Sequence, residues 1–133
     1  MMDRRSFLLG MSVYPVSAPT VSAAPPKIGI LFFGAGWCPY CHQAAAILHQ
    51  MRLAGQIEVF AVSLDGEPLG VIEDIVPDDG RTARLGIVGV PQTFMFDPRT
   101  KSPVPVISGF PGAAQYVSAL RRVAGQIYGA NSG

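Results

Sequence analysis

Residues 27–42 read KIGILFFGAGWCPYCH, and this stretch decides the fold because it places an apolar run directly before a pair of cysteines. The run at 27–33 contains β-branched and aromatic residues without a polar interruption, which is typical of a strand buried on both faces. Helix-forming residues prevail from Pro39 to about residue 54. Apolar residues recur there at helical spacing, at Ala44, Leu48 and Met51. The stretch therefore predicts a buried strand followed by a helix that begins at the cysteines.

The remainder of the chain continues this alternation of strands and helices. We predict strands at 57–64, 92–97 and 104–108, a short helix at about 80–85 that ends at Gly86, and an amphipathic helix at about 112–128. The acidic stretch between the second strand and the short helix, residues 65–80, is predicted to be a solvated loop. This order predicts a single α/β domain in which helices flank a central mixed sheet.

Length and composition exclude several classes of protein. A chain of 133 residues has room for one domain. The net charge is +1 and Lys and Arg never occur in a run longer than a pair, so we expect no nucleic-acid partner. Two cysteines exclude a scaffold held by several disulfides and a zinc site with four cysteine ligands. No apolar run reaches the roughly 18 to 20 residues that span a bilayer, so we expect no integral membrane segment in the mature chain. We also expect a monomer.

The motif Cys38-Pro39-Tyr40-Cys41 predicts a redox dithiol at the start of a helix. Side chains three positions apart face each other within one helical turn, so the two thiols can form a disulfide. Cys38 is expected at the N-cap and Pro39 at the first helical position. The backbone N–H groups of Tyr40 and Cys41 would then point to the Cys38 sulfur and favour its thiolate. We therefore predict Cys38 as the nucleophile and Cys41 as the resolving thiol.

Two other interpretations fit the same residues. Cys38 and Cys41 followed by His42 also form a Cys-x-x-Cys-His haem-attachment motif, but strands precede and follow it and Met95 falls inside a predicted strand. A non-catalytic assembly factor with a structural disulfide is the other alternative. An exposed pair at a helix tip speaks against it, because a loop this short contributes little stability when it is closed. We expect no cofactor and no metal.

A strand followed by WCxxC and a helix resembles the thioredoxin superfamily. A second segment supports this resemblance. Residues 88–94 read VGVPQTF and are similar to that family's loop before an apolar strand. The resemblance implies that Pro91 follows a cis peptide bond beside the disulfide and that the Val90 backbone pairs with substrate. It also places Trp37, Pro39 and Tyr40 at the substrate surface. In thioredoxin proper an acidic residue lies six positions before the first cysteine, whereas this chain has Phe32, so water or another group must serve the resolving thiol.

A narrower resemblance is to the small thioredoxin-like isomerases and assembly factors of conjugative pilus systems. The segments that carry it are LFFGAGWCPYCHQ at 31–43 and VPQTFMFDPRTKSPVPVISGF at 90–110. This resemblance implies cysteine-containing protein substrates and an upstream thiol–disulfide partner that supplies electrons. It favours a reductase or isomerase over an oxidase.

The first 23 residues are interpreted as a cleaved export signal. Arg4 and Arg5 precede the short apolar stretch Phe7-Leu8-Leu9, and small residues lie around Ala23. The segment resembles the twin-arginine export motif. We therefore expect cleavage after Ala23, a thioredoxin-like domain at 24–133, and a periplasmic protein.

Overall fold

The computed structural model describes residues 27–129. The predicted export signal and its cleavage site lie outside these residues. Within them the chain forms five strands and three helices, namely β1 (Ile28–Gly34), α1 (Pro39–Leu53), β2 (Ile57–Ser63), β3 (Ile75–Pro77), α2 (Arg81–Arg84), β4 (Gln92–Asp97), β5 (Ser102–Ser108) and α3 (Ala113–Ile127). Among the described residues no helix combines the length and the apolar character needed to cross a membrane.

The strands form one mixed sheet in the order β3-β2-β1-β4-β5. β1 pairs with β2 in parallel and with β4 antiparallel, so it is the central strand. β2 pairs with β3 in parallel, and β4 pairs with β5 antiparallel. The predicted mixed sheet, with the cysteine helix directly after its central strand, is confirmed.

The prediction that residues 65–80 form only a loop is wrong. Ile75–Pro77 forms β3, which pairs with residues 61–63 of β2 at the edge of the sheet. The strand is too short to produce a periodic pattern, and acidic residues surround it in the sequence. The loop before β3 is also anchored, because Leu69 and Ile72 are fully buried and their backbones pair with each other.

The main core lies between one face of the sheet and helices α1 and α3. Phe32 and Met95 from the sheet pack there with Leu48 of α1 and Leu120 of α3. Full burial of one such side chain contributes roughly 1.5–3 kcal/mol of transfer free energy. The helix α3 contributes five buried residues to this core, namely Tyr116, Ala119, Leu120, Val123 and Ile127.

The opposite face of the sheet has a smaller core. Phe33, Val62 and Phe94 are buried there, and the rings of Phe33 and Phe94 meet edge to face with centroids 5.8 Å apart. Further along the same face, Phe60 and Phe96 remain 43% and 41% exposed. The sheet is therefore covered more completely on the side of α1 and α3.

The sheet register sets the position of the cysteines relative to Pro91. Phe33 of β1 lies opposite Gln92 of β4, and the two strands are antiparallel. The end of β1 therefore meets the start of β4, which follows directly after Pro91. Two segments distant in the sequence, the turn before Cys38 and the loop at Val90, are brought together at this edge.

Candidate redox site

Cys38 is the N-cap residue of α1, as predicted. Its Sγ accepts a hydrogen bond from the backbone N–H of Cys41 at 3.2 Å, and Pro39 follows at the start of the helix. Of the two amides predicted to approach the sulfur, the amide of Cys41 makes this hydrogen bond. Both cysteines are free thiols. The arrangement places a hydrogen-bond donor and the positive end of the helix dipole at the sulfur that is expected to attack.

The expectation of an exposed cysteine pair is wrong. Cys38 is 3% exposed and Cys41 is fully buried. The cause is packing, because both cysteines form a small cluster with Ala35, and Val90 packs against it from the loop before β4. The small exposed part of Cys38 and the packing of Val90 therefore limit the access of a substrate sulfur.

Burial gives the Cys41 thiol a strong affinity for its proton. Removal from water is the largest of the causes that together raise its pKa from 9.0 to about 12, and the hydrogen bond with Cys38 is the second. The charge of Asp65 acts in the same direction. Cys41 is thus a neutral thiol at physiological pH, which suits a group that waits while another sulfur attacks.

The Val90–Pro91 peptide bond is cis, as the resemblance implied. Around the cysteines the structure exposes large side chains on both flanking segments. Trp37 is 70% exposed, Tyr40 is 59% exposed, and Val88 is fully exposed. The buried sulfurs therefore lie beneath a rim of apolar and aromatic side chains that a substrate chain can contact.

The structure places a carboxylate near the dithiol that sequence reasoning missed. Phe32 is fully buried in the main core and brings no acid to Cys41. Asp65 follows the neighbouring parallel strand β2, and its carboxylate accepts a hydrogen bond from the Gly36 N–H at 3.0 Å. This hydrogen bond is the main cause that holds the pKa of Asp65 below its ordinary value of 3.8. The sequence offered one signal for this contact, namely that Asp65 directly follows an apolar strand. Adjacent parallel strands end at the same edge of a sheet, so residues that follow β1 and β2 lie close together.

The residues of the motif do not fit a haem. Nε2 of His42, the atom that would ligate iron, lies 2.7 Å from the Gly36 carbonyl oxygen. The histidine is therefore engaged with the protein backbone. Within residues 27–129 no group of three or more His, Cys, Asp or Glu side chains is placed to hold a metal ion.

An apolar groove at the other end of the fold contains neither cysteine. It has a volume of about 350 Å³ and lies between the start of β1 and the ends of α1 and α3, with Ile28, Met51 and Leu120 among its lining residues. The cysteines instead follow the carboxyl end of β1.

Solved structures with the same arrangement define the class of fold. A putative thiol:disulfide interchange protein DsbE from Chlorobium tepidum superposes with a TM-score of 0.57 at 27% identity, over 74% of this chain and 79% of that chain. A thioredoxin from Thermus thermophilus gives 0.53 at 19% identity, over 79% of both chains. The molecule is a thioredoxin-fold protein with its two cysteines at the start of the first helix.

The family follows from the sequence comparisons. The family model described as TraF, F plasmid transfer operon protein, matches residues 17–118, and the chain belongs to this family. It is 31% identical over 108 residues to Protein TrbB of Escherichia coli strain K12, covering 78% of this chain and 59% of TrbB. It is 33% identical over 82 residues to Protein TraF of the same organism, covering 62% of this chain and 33% of TraF. The chain thus spans between a third and three fifths of the length of these relatives.

Proposed function

We propose that this protein is a thiol–disulfide oxidoreductase that acts on protein cysteines through Cys38 and Cys41. One observation carries the proposal, namely that Cys38 Sγ caps the helix and accepts the Cys41 N–H bond at 3.2 Å beside Val90. A sulfur held in this way has a donor ready for the negative charge that forms when its proton leaves. The likeness to a protein titled thiol:disulfide interchange protein supports the same chemistry.

The proposed reaction has two exchange steps. In the first step the Cys38 thiolate attacks one sulfur of a substrate disulfide, so a mixed disulfide forms and the other substrate sulfur leaves as a thiolate. In the second step Cys41 loses its proton to water or a nearby base and attacks Cys38 Sγ. The substrate then leaves with both sulfurs reduced, and Cys38 and Cys41 are oxidised to a disulfide. An upstream dithiol partner must return two electrons before the next cycle.

The preference for reduction or isomerisation over oxidation is supported by one charge, which lies near the resolving thiol. Strong dithiol oxidants are those whose reduced form is stabilised, in many cases by groups that favour a thiolate. Here the ionised side chain that acts on Cys41 is the carboxylate of Asp65, which disfavours a second negative charge. The reduced pair therefore receives little stabilisation from this group.

The proposed setting is the assembly of a conjugative transfer apparatus in the periplasm. The family model is described as an F plasmid transfer operon protein, and one of the two relatives, Protein TraF, has the name of that family. Exported proteins of such an apparatus acquire disulfides in an oxidising compartment, and wrong pairings must be reduced or rearranged there. The predicted export signal at 1–23 agrees with this location.

The test of the proposal is an activity assay on the purified domain with two cysteine variants. Wild-type protein should reduce insulin in the presence of dithiothreitol and should reactivate scrambled ribonuclease. Cys38→Ser should abolish both activities, while Cys41→Ser should abolish insulin turnover and retain the first exchange step. Circular dichroism must show that both variants keep the fold. Full activity in Cys38→Ser would overturn the catalytic assignment.

A non-catalytic assembly factor is the second candidate function, and the low exposure of Cys38 favours it. With only 3% of its surface accessible, Cys38 is less open to a substrate than its flanking residues Trp37 and Tyr40. In this case the rim would bind a partner and the thiols would only pack. A variant with both cysteines replaced by alanine would then bind the partner as well as the wild type does, and the wild type would show no insulin reduction.

A further inference from the structure

The turn that precedes the nucleophile has little side-chain packing at its two central residues. Residues 35–38 form a tight turn in which the Cys38 N–H donates to the Ala35 carbonyl at 3.1 Å, and Gly36 and Trp37 are its central residues. We call these four residues the Gly36 turn. Because the Trp37 side chain is 70% exposed, packing does little to fix its position. Ala35 and Cys38 at its ends are buried, so the orientation of the central residues must depend largely on their backbone contacts.

Both backbone groups of Gly36 are hydrogen-bonded to side chains from other elements. Its N–H donates to the two carboxylate oxygens of Asp65 at 3.0 and 3.1 Å. Its carbonyl oxygen accepts from Nε2 of His42 at 2.7 Å. A carbonyl can only accept, so Nε2 of His42 carries a proton in this arrangement. The central glycine is therefore held from the loop after β2 on one side and from α1 on the other.

Asp65 is itself fixed by its surroundings. The hydroxyl group of Ser63, which is fully buried, donates to Asp65 Oδ1 at 2.9 Å, and the Glu67 N–H donates to the same oxygen at 3.1 Å. The site also leaves no room for a side chain in the turn, since a Cβ on Gly36 would lie 2.6 Å from the Glu67 Cβ. The loop and the turn are thus in close contact along the backbone of Gly36.

His42 is also held by its surroundings, through its backbone and its Cβ. Its backbone N–H donates to the Cys38 carbonyl within the first turn of α1. Gly70 approaches it so closely that a Cβ there would lie 3.3 Å from the His42 Cβ, and the positive φ of +62° suits glycine. The same loop that carries Asp65 therefore also packs against His42.

We propose that His42 and Asp65 are positioning residues that hold Gly36 and thereby fix Trp37 and Cys38 for substrate binding. Neither residue touches the reacting sulfurs through a hydrogen bond in the structure. Their effect is to order the exposed rim before a substrate arrives, which lowers the entropy cost of binding. This inference rests on the proposed thiol–disulfide function, since it assigns a role within that site.

The test uses the one tryptophan of the chain as a local probe. Trp37 is the only tryptophan, so time-resolved fluorescence anisotropy reports the motion of the Gly36 turn directly. His42→Phe keeps a ring against Gly70 and removes the donor, whereas His42→Gln keeps an N–H donor at a similar reach. Asp74→Asn is the control for Asp65→Asn, because Asp74 lies in the same loop and pairs with Arg52 instead.

We expect His42→Phe and Asp65→Asn to add a fast local component to the Trp37 anisotropy decay. For His42→Phe, insulin reduction should show a KM raised about fivefold, which corresponds to the loss of about one net hydrogen bond, and a kcat changed less than twofold. Asp65→Asn should raise KM to a similar extent, and only KM is the criterion for this variant because the Asp65 charge also acts on Cys41. His42→Gln and Asp74→Asn should resemble the wild type in both measurements. A purely structural role would lower the melting temperature without changing KM and without rescue by glutamine.

The outcomes separate this inference from the proposed function. If wild-type protein reduces insulin and His42→Phe matches it in both anisotropy and KM, the positioning role is refuted and the oxidoreductase function stands. If wild-type protein has no activity, the proposed function fails. The anisotropy of Trp37 in the four variants then still decides whether these side chains fix the turn.

Discussion

Gly34 provides a direct test of how closely the resolving thiol is packed. A methyl group at this position would lie 3.2 Å from the Cβ of Cys41, 3.2 Å from Leu69 Cδ2 and 3.3 Å from Cys41 Sγ. Gly34 is buried, so the neighbours have little space to move away. Overpacking of a well-packed core costs about 1–3 kcal/mol, so Gly34→Ala should lower the urea midpoint by about 1 M. Displacement of Cys41 should also slow resolution of a mixed disulfide by about tenfold.

Gly29→Ala is the matched control because it lies in the same strand. A methyl group there would lie 3.4 Å from the Phe96 Cβ, which is ordinary van der Waals contact. Both substitutions reduce the freedom of the unfolded chain by a similar amount, about 0.4–1 kcal/mol, so their difference isolates the crowding at Cys41. Urea unfolding and single-turnover kinetics measure the two effects. Equal midpoints and equal resolution rates for Gly34→Ala and Gly29→Ala would refute the packing described around Cys41.

Four further predictions follow from individual contacts. Tyr116→Phe should destabilise the fold by about 1–2 kcal/mol in urea unfolding, because the buried Thr93 hydroxyl loses the Tyr116 hydroxyl that lies 2.7 Å away. Adding Thr93→Val should restore part of this loss. The pKa of Asp65 lies below 3.8 in the folded state, so the stability that its charge contributes is complete above pH 3.8 and is lost as the pH falls through the lower folded pKa. Asp65→Asn should therefore weaken the dependence of stability on pH in this acidic range. In Cys38→Ser, iodoacetamide at pH 9 should leave Cys41 unmodified until the protein is unfolded, because burial raises its pKa to about 12; rapid labelling of the folded form would contradict this. Arg52→Ala should change stability by less than about 1 kcal/mol, since the partner Asp74 is largely exposed.

Much of the fold was predictable because its strands and helices have strong patterns. The run at 27–33 and the amphipathic pattern at 112–128 correspond closely to β1 and α3. The strand at 92–97 has the predicted bounds. Among the strands and helices of residues 27–129, only β3 was missed, since three residues in an acidic stretch give no periodic signal and depend on pairing with β2.

The candidate site was predictable in its covalent chemistry and less so in its surroundings. The spacing of Cys38 and Cys41 predicted the N-cap arrangement, because it depends on local helix geometry. Their burial depends on Val90, which arrives from a distant segment, so the sequence alone suggested exposed thiols. The contact of Asp65 with Gly36 joins residues 29 positions apart and depends on the register between β1 and β2.

The role of Phe32 remains a prediction that bears on proton transfer. The structure confirms that this position is apolar and buried, so the resolving thiol has no acid from β1. If Asp65 does not replace it as a proton acceptor, resolution should speed up with rising pH as hydroxide removes the Cys41 proton. Stopped-flow rates of the second exchange step, measured against pH in the wild type and in Asp65→Asn, distinguish hydroxide from Asp65 as the acceptor of the Cys41 proton.

The central claim is that Cys38 attacks and Cys41 resolves, and a trapping experiment tests it most directly. Cys41→Ala and Cys38→Ala are each incubated with a peptide disulfide, and intact-mass spectrometry measures the covalent adduct. We expect a stable mixed disulfide on Cys38 in Cys41→Ala and no adduct on the folded Cys38→Ala, because Cys41 is fully buried. An adduct on Cys41 in Cys38→Ala with none in Cys41→Ala would contradict the account.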